Sequence, residues 1–337
     1  MRDVVVVGAG PVGLATAIQC AQRGLSVTVI EPRAFPIDKA CGEGLMPTAV
    51  RRLQALGVAI GGHAFRGIAY VDATHRVEAE FAVGPGRGVR RTELDAALQR
   101  RAEQLDVKFV AERVETIEQH DRQATVAGIP ARYVVGADGL HSTVRRLIGI
   151  TATSPGPPRF GQRRHFAVTP WTDLVEVHWA DGAEAYVTPV GEECVGVAIL
   201  SGRGADFATR LGGFPQLRDR LAGAAHGPTL GAGPLRQSVA ARSSGRVALV
   251  GDAAGYVDAL TGEGINVGLA QAQVLADCLA NGDLSDYEPR WQEATRTYRR
   301  LTLSLIRARH NRVLGPRIVP AAARFPALFD RAVQQLA

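Results

Sequence analysis

Three glycines near the start of the chain have the spacing of a nucleotide-binding turn. Gly8, Gly10 and Gly13 follow a short apolar run at 3–7, typical of a buried strand, and open an apolar helical pattern at 11–23. In such a turn the first two glycines let the backbone approach a pyrophosphate, and the third lets the helix pack on the strand. The N–H groups at the helix N-terminus then point at the phosphates. The spacing therefore predicts a dinucleotide site.

Glu31 closes the next predicted strand, at 26–30, where the acidic residue of a dinucleotide site is expected. A carboxylate there can accept hydrogen bonds from the hydroxyls of an adenosine ribose. It also disfavours a 2′-phosphate, so NAD or FAD is expected rather than NADP. Arg33, just beyond Pro32, could contact the adenine or the pyrophosphate, or could be a solvated loop residue.

Two later turns, each after a predicted buried strand, favour FAD over NAD. The turn at 136–139 brings Asp138 to the carboxyl end of its strand, and Ser142 is placed to cap the next helix. Asp252 follows a third strand and could accept a hydrogen bond from a ribityl hydroxyl. The helix that starts near 262–265 would stabilise the negative charge of a reduced flavin at its N-terminus.

In this order and spacing, the three segments resemble the glutathione-reductase-type FAD fold, in the aromatic-hydroxylase branch that also holds geranylgeranyl reductases and flavin halogenases. The resemblance extends from Val4 to about Cys278. It implies an extended FAD with Asp252 on its ribityl chain, Arg91 reaching the cofactor, and Asp138 in a segment associated with FAD and NAD(P)H. The residues assigned to FAD are Gly8, Gly10, Pro11, Val12, Gly13, Glu31, Pro32, Arg33, Cys41, Gly42, Arg91, Asp138, Gly139, Gly251, Asp252, Gly262, Gly264, Ile265 and Asn266.

Within that family, two segments distinguish between branches. Lys39–Pro47 and Gly251–Gly264 are more similar to the geranylgeranyl reductases than to the aromatic hydroxylases. Gly255 stands where hydroxylases typically carry His, and Ala259 stands where both groups usually carry Pro. Against a reductase, the chain lacks the extended C-terminal part common in that group. The Trp-rich halogenase motif and its paired Lys are not visible.

The candidate catalytic residues are Cys41, Glu43 and Tyr186. Cys41 could contact the substrate or tune the flavin, or could be a small residue in a tight loop. Glu43 could be a proton donor or an anchor for Lys39. Tyr186 and Pro189 lie where related proteins line the substrate pocket.

Three histidines are candidates for acid–base chemistry, since a histidine titrates near neutral pH. His165 and His178 fall in the sheet predicted to cover the substrate, where an ordinary sheet histidine is the alternative interpretation. His141 follows the Asp-Gly turn, and we expect it at the surface or on the phosphate side.

The predicted fold is α/β: a glutathione-reductase-type, Rossmann-like FAD-binding domain, an inserted antiparallel β-sheet domain for the substrate, and a helical C-terminus. A single helix is predicted over 206–222. The expected extents are 1–60, 90–150 and 236–285 for the FAD-binding domain, 61–89 and 151–235 for the substrate domain, and 286–337 for the C-terminal segment.

The composition of the 337 residues is that of a globular protein, with 46% hydrophobic and 21% charged residues and a net charge of +6. The arginines are dispersed except in the C-terminal segment and aromatics are few, so we expect no nucleic-acid partner. Four cysteines without Cys-x-x-Cys spacing argue against a disulfide framework or a metal site and fit a reducing compartment. With a first strand at residue 3 and no membrane-length apolar run, a cytoplasmic location is expected.

The tail at 313–337 has apolar residues spaced among arginines. One interpretation is contact with an anionic membrane. The alternative is a terminal helix packed on the FAD-binding domain.

The sequence favours a flavoprotein monooxygenase of secondary metabolism. NADH or NADPH, bound transiently because no second glycine fingerprint is present, would reduce FAD, and a C4a-hydroperoxyflavin would hydroxylate a phenolic or polyketide-like molecule. The alternative is a geranylgeranyl-reductase-like reductase or dehydrogenase acting on a C=C or C–C unit of a lipidic isoprenoid. A third interpretation is a flavin-binding protein with a regulatory or assembly role.

Overall fold

Valine-rich runs supply the strands of the main sheet, because β-branched side chains suit strands that are buried on both faces. The computed structural model describes all 337 residues. The strands are β1 (Arg2–Val7), β2 (Val27–Ile30), β3 (Gly44–Leu45), β4 (His63–Phe65), β5 (Gly67–Val71), β6 (Arg76–Glu80), β7 (Gly86–Gly88), β8 (Lys108–Val110), β9 (Ile117–Gln119), β10 (Ala124–Val126), β11 (Ile129–Gly136), β12 (Ala152–Thr153), β13 (Phe160–Phe166), β14 (Leu174–Ala180), β15 (Ala183–Gly191), β16 (Cys194–Ser201), β17 (Leu230–Ala232), β18 (Ser238–Val239), β19 (Ser243–Ser244) and β20 (Val247–Leu249). The helices are α1 (Pro11–Gln22), α2 (Pro47–Ala55), α3 (Arg91–Gln104), α4 (Thr143–Leu147), α5 (Phe207–Leu211), α6 (Pro215–Arg220), α7 (Gly264–Asn281), α8 (Tyr287–His310), α9 (Ile318–Arg324) and α10 (Pro326–Gln334), with 3-10 turns at Gly251–Ala254 and Gly315–Arg317.

Five parallel strands form the centre of the main sheet, in the order β20, β11, β1, β2 and β8. α1 packs against α3 and α7, and α7 packs against α8, so these helices form one continuous layer. The carboxyl ends of β1, β11 and β20 lie at the same edge of the sheet. There the Ala137 amide donates to the Val7 carbonyl at 2.8 Å, and the Val250 amide donates to the Gly136 carbonyl at 3.0 Å. The three predicted cofactor turns therefore meet at one place.

A second sheet of seven strands has the order β17, β13, β16, β15, β14, β5 and β6. The predicted antiparallel pairing holds except between β14 and β5, which run parallel. These two strands come from distant stretches of the chain, so no hairpin fixes their relative direction. One face of the sheet carries an apolar cluster that includes Ile68, Val177 and Tyr186. A separate cluster, with Val187 and Val197, is covered by α5 and α6.

The helix predicted over 206–222 is two short helices, α5 and α6, in the structure. Gly212 and Gly213 separate them, and Pro215 occupies the first position of α6. Glycine is a poor helix former and proline fits best at a helix start, so the local sequence explains the break. No helix of the protein combines the length and the apolar character that a membrane span requires.

The C-terminal helices α9 and α10 pack on β5 and β6 of the second sheet. The rings of Phe329 and Tyr70 lie 4.7 Å apart, centroid to centroid. The Gln334 amide group donates to the Glu80 carbonyl at 2.6 Å and accepts from the Ala82 amide at 3.0 Å. The terminal helices therefore pack mainly on the second sheet, whose apolar face provides the partner surface, and not mainly on the FAD-binding domain as expected. The end of the chain also reaches that domain, where the Thr48 amide donates to the Ala337 carbonyl at 3.0 Å.

We expect Phe329→Ala to lower the free energy of unfolding by about 3 kcal/mol, because it leaves a cavity against Tyr70. Urea denaturation followed by circular dichroism measures this loss. Phe325→Ala is the matched control: Phe325 is 57% exposed, and its removal should change stability by less than about 0.5 kcal/mol. Equal losses for the two variants would contradict this packing of α10.

Candidate active site

The glycine fingerprint forms a turn in which two backbone segments touch. A Cβ at Gly8, where φ is +103°, would lie 2.6 Å from the Ala137 carbonyl oxygen, and a Cβ at Gly13 would overlap the Gly8 carbonyl. Larger residues would push the β1–α1 turn away from the Ala137 segment. The turn leaves the N-terminus of α1 open to a cavity, where Gly10 is among the lining residues. This is the geometry that a pyrophosphate requires.

A cluster of cations surrounds the N-terminus of α1. The Lys39 ammonium would lie 3.7 Å from a Cβ at Gly139, and an Arg91 guanidinium nitrogen would lie 3.6 Å from a Cβ at Gly10. Burial, and then the charges of Arg33 and Arg91, hold the pKa of Lys39 below its usual value. Arg91 is 8% exposed, and its Nε has no hydrogen-bond partner. An FAD diphosphate would supply the missing acceptor and counter-charge, so these residues fit the cofactor.

Glu31 is fixed in an ionised form beside the fingerprint turn. Its carboxylate accepts from the Ala9 amide at 3.1 Å and from the Arg33 guanidinium at 2.7 and 2.8 Å. Burial acts to raise the pKa of Glu31, but these hydrogen bonds outweigh it and the pKa lies below its usual value. Arg33 is therefore an exposed loop residue, as one interpretation expected, and its guanidinium pairs with Glu31.

Asp138 caps the short helix α4 with both carboxylate oxygens. It accepts from the Thr143 amide at 2.6 Å, from the Val144 amide at 3.0 Å and from the Ser142 hydroxyl at 2.5 Å. Ser142 in turn accepts from the Arg145 amide at 2.9 Å, which confirms the predicted cap. The carboxylate thus maintains the turn at 136–139, whose backbone borders the cavity.

Arg145 is a site residue that sequence reasoning missed. Its guanidinium donates to the Leu140 carbonyl at 2.9 Å and to the Ala253 carbonyl at 3.0 Å. It therefore joins the second and third cofactor turns. The sequence carried no signal of this role, because the two carbonyls that Arg145 joins belong to the backbone.

Asp252 lies on the cavity wall at the third turn, where Gly251 has a φ of +64°. The Gly251 amide donates to the Gln271 side chain at 2.8 Å, which ties the turn to α7. Burial raises the pKa of Asp252, and the charges of Lys39 and Arg91 oppose that shift. Asp252 thus lies on the cavity wall, and its contact with a ribityl hydroxyl stays a prediction.

The N-terminus of α7 reaches the same cavity through Gly264 and Ile265. Glu263, just before the helix, is 5% exposed, and burial raises its pKa to about 7. The Glu263 carboxylate accepts from the Asn266 amide group at 2.8 Å, and Asn266 accepts from Arg52 at 3.1 Å. The Asn266 side chain is thus turned to Glu263 and Arg52, and not to the cavity.

Most residues that the sequence assigned to FAD line one continuous space. The residues on the cavity wall are Gly10, Pro11, Val12, Cys41, Gly42, Arg91, Asp138, Gly139, Gly251, Asp252, Gly262, Gly264 and Ile265. The remaining assigned residues do not line it: these are Gly8, Gly13, Glu31, Pro32, Arg33 and Asn266.

Glu43 is the centre of a buried polar group in the loop between β2 and β3. Its carboxylate contacts His165 Nε2 at 2.6 Å, accepts from the Arg91 amide at 2.8 Å and lies 3.8 Å from Arg163. Glu43 does not anchor Lys39, and that alternative is wrong. Its backbone amide donates to the sulfur of Cys41 at 3.4 Å, and burial raises the pKa of the Cys41 thiol. Cys41 and Glu43 both line the cavity.

The other sheet residues have different positions. Tyr186 lines the cavity and its hydroxyl donates to the Leu260 carbonyl at 2.6 Å. Pro189 is outside the cavity wall, with its carbonyl against Gly88. His178 is paired with the buried Glu176 at 2.9 Å, as an ordinary sheet histidine would be.

His141 lies at the protein surface, as one sequence interpretation expected. It is exposed, contacts the Gly233 carbonyl at 3.2 Å and borders the cavity.

The cavity has a volume of about 980 Å³ and extends beyond the FAD cradle, between the second sheet and the C-terminal helices. Its far part is lined mainly by apolar side chains. The apolar lining comprises Met46, Ile68, Val175, Val177, Leu200, Leu235, Leu301, Leu305, Ile318, Phe325, Leu328, Phe329, Val333 and Leu336. Sequence reasoning missed the contribution of the tail, because the apolar spacing at 313–337 does not reveal what it packs against.

The parallel sheet, the fingerprint turn and the cation cluster together define a flavoprotein with a Rossmann-like FAD-binding domain. The family model for the FAD binding domain matches residues 1–207. Menaquinone reductase of Mycolicibacterium smegmatis is 30% identical over 93% of this chain and 87% of its own length. A 3-(3-hydroxy-phenyl)propionate/3-hydroxycinnamic acid hydroxylase of the same species is 34% identical, over 44% of this chain and 30% of its own length.

The fold is also found in a solved structure, that of p-nitrophenol 4-monooxygenase from Pseudomonas putida, with a TM-score of 0.82 and 21% sequence identity over 100% of this chain and 95% of that one. The chain belongs to the FAD-binding family, in the superfamily of aromatic hydroxylases and geranylgeranyl reductases. It is an FAD-dependent oxidoreductase.

We expect Gly13→Ala to lose its bound flavin, because the added Cβ overlaps the Gly8 carbonyl and displaces the N-terminus of α1. The flavin absorption per mole of purified protein measures the loss. Gly61→Ala is the control, since a Cβ at Gly61 meets no atom within 4 Å. A Gly13→Ala protein that keeps a full complement of flavin would contradict the assigned cradle.

Proposed function

We propose that the protein is an FAD-dependent reductase that adds hydrogen across a C=C bond of a prenyl-bearing lipid, such as an isoprenoid quinone. NADH or NADPH is the electron donor. Of the two relatives described, the menaquinone reductase matches nearly the whole chain, whereas the hydroxylase matches less than half of it. The resemblance of Lys39–Pro47 and Gly251–Gly264 to geranylgeranyl reductases supports the same choice.

The observation that carries this proposal is the apolar extension of the cavity. A prenyl chain has no hydrogen-bonding groups, so a carbon-lined space suits it, whereas a phenol needs a polar partner for its hydroxyl. Two of the hydroxyls on the second sheet, both on β15, already have partners. Tyr186 donates to the Leu260 carbonyl at 2.6 Å, and Thr188 donates to the Gly42 carbonyl at 2.8 Å.

Reduction of a C=C bond needs a hydride on one carbon and a proton on the other. Bound FAD, reduced by NADH or NADPH, supplies the hydride. Cys41 is the proton donor in this proposal, since burial raises the pKa of its thiol and keeps it protonated at neutral pH. It lies in the cavity-lining loop between Lys39 of the cation cluster and Met46 of the apolar part. The thiolate left behind regains its proton from solvent.

A monooxygenase is the second candidate, favoured by the hydroxylase relative. It would use the same cradle and the same donor, but would consume O₂ and add one oxygen atom to an aromatic ring.

A single experiment separates the two functions. The holoprotein is reduced anaerobically with NADH or NADPH and mixed with geranylgeraniol or a prenylated naphthoquinone in detergent. We expect anaerobic reoxidation of the flavin and a product that is two hydrogens heavier in its prenyl chain. Exposure to air before mass spectrometry oxidises any quinol back to quinone. A gain of two hydrogens that remains after this step therefore shows that a C=C bond has been saturated. Reoxidation only by O₂, with one oxygen gained by a phenolic substrate, would establish the monooxygenase instead.

We expect Cys41→Ala to slow the reoxidation of reduced flavin by a prenyl substrate by about 100-fold, because the proton donor is lost. Flavin reduction by NADH or NADPH should be unchanged, and stopped-flow absorbance separates the two steps. Cys194→Ala is the matched control, as Cys194 is also half-buried but does not line the cavity. If the two variants reoxidise at the same rate, Cys41 is not the donor.

A further inference from the structure

The far end of the cavity opens to solvent at the junction of α9 and α10. Phe325 and Leu328 line the cavity, yet they are 57% and 62% exposed. Phe325 ends α9, and Pro326 takes the first position of α10, so the chain turns a corner there and presents these side chains outward. Large apolar side chains at the mouth of an apolar cavity indicate a surface whose partner is itself apolar.

The tail segment that forms this mouth is basic. Between 311 and 337 there is one acidic residue, Asp330, against four exposed arginines. These are Arg312, Arg317, Arg324 and Arg331. Val313 and Leu314, in the turn that precedes α9, are also exposed, at 58% and 51%. Apolar side chains among arginines match a bilayer surface, where the apolar groups enter the acyl boundary and the cations meet anionic headgroups.

We propose that the junction of α9 and α10 docks on an anionic phospholipid bilayer, and that the prenyl lipid passes from the bilayer into the cavity between Phe325 and Leu328. The second part rests on the proposed function. A prenyl lipid resides in membranes, and a cavity that opens at the docked surface receives it without exposing its chain to water. Docking itself requires only the surface described above.

The test begins with co-sedimentation of the oxidised holoprotein with vesicles, in the absence of substrate. We expect binding to vesicles of phosphatidylglycerol mixed with phosphatidylcholine, and much weaker binding to phosphatidylcholine alone. Phe325→Ser with Leu328→Ser should lower the partition coefficient at least about tenfold, as two apolar side chains no longer enter the bilayer. Leu147→Ser, which alters an exposed leucine on α4, should bind as the wild type does.

A charge series tests the basic component. Arg312→Gln, Arg324→Gln and Arg331→Gln together should lower binding to the anionic vesicles at least about tenfold and weaken its dependence on salt. The control removes three exposed arginines elsewhere, with Arg113→Gln, Arg122→Gln and Arg203→Gln. If the two triple variants lose the same amount of vesicle binding, the effect depends only on net charge, and the proposal of a specific docking surface is overturned.

Turnover assays separate docking from the proposed function. The tail triple variant should reduce a prenyl lipid embedded in vesicles more slowly, but a short detergent-dispersed prenyl alcohol at the wild-type rate. Reduction of the short alcohol without vesicle binding would overturn docking and leave the reductase in place. Vesicle binding without reduction of either substrate would overturn the reductase alone. Sedimentation analysis tests whether a second copy of the chain covers this surface. If the wild type is a dimer and the Phe325→Ser, Leu328→Ser variant is a monomer, the surface binds a second copy and docking on a bilayer is overturned.

Discussion

The contact between the β1–α1 turn and the Ala137 segment is the constraint on which the rest of the site depends. Glycine at position 8 allows the two backbones to approach, because a Cβ there would lie 2.6 Å from the Ala137 carbonyl oxygen. Glycine at position 13 keeps α1 close to the same turn, because a Cβ there would overlap the Gly8 carbonyl. The approach brings Asp138 and its capped helix beside the N-terminus of α1. The third turn is then held against the second by Arg145, whose guanidinium bonds the Leu140 and Ala253 carbonyls. Three distant segments thereby form one cradle.

The sequence was sufficient for those parts of the fold that depend on local pattern. The fingerprint glycines, the valine-rich strands and the Ser142 cap are all encoded within a few residues, and the structure confirms them. The partner of Glu43 could not be predicted in the same way, because His165 lies more than a hundred residues away and reaches Glu43 only when the second sheet covers the cradle. The packing of the tail was likewise unpredictable, since its apolar spacing fits either domain.

The second sheet and the tail make a substrate space that neither could form alone. Strands β5, β14 and β15 present apolar side chains to one side, and α9 and α10 cover them with their own. Two of the polar groups on this side of the sheet, the Tyr186 and Thr188 hydroxyls, are satisfied by backbone carbonyls. Binding of an apolar substrate in this space is therefore favoured by the removal of its apolar surface from water, and few groups could hydrogen-bond to a polar ring.

The loss of the usual proline at Ala259 would be expected to loosen the loop that faces the flavin, but other interactions hold it. The Leu260 amide donates to the Asp258 carboxylate at 3.0 Å, and the Tyr298 hydroxyl on α8 donates to the Asp258 carbonyl at 2.9 Å. Asp258 is buried and pairs with Arg159 at 3.0 Å. A buried ion pair that lost one partner would leave an uncompensated charge, so this group tolerates little displacement. Side-chain bonds from the sheet and from α8 thus replace the backbone restriction of proline, and they couple the flavin-facing loop to the helix that precedes the cavity mouth.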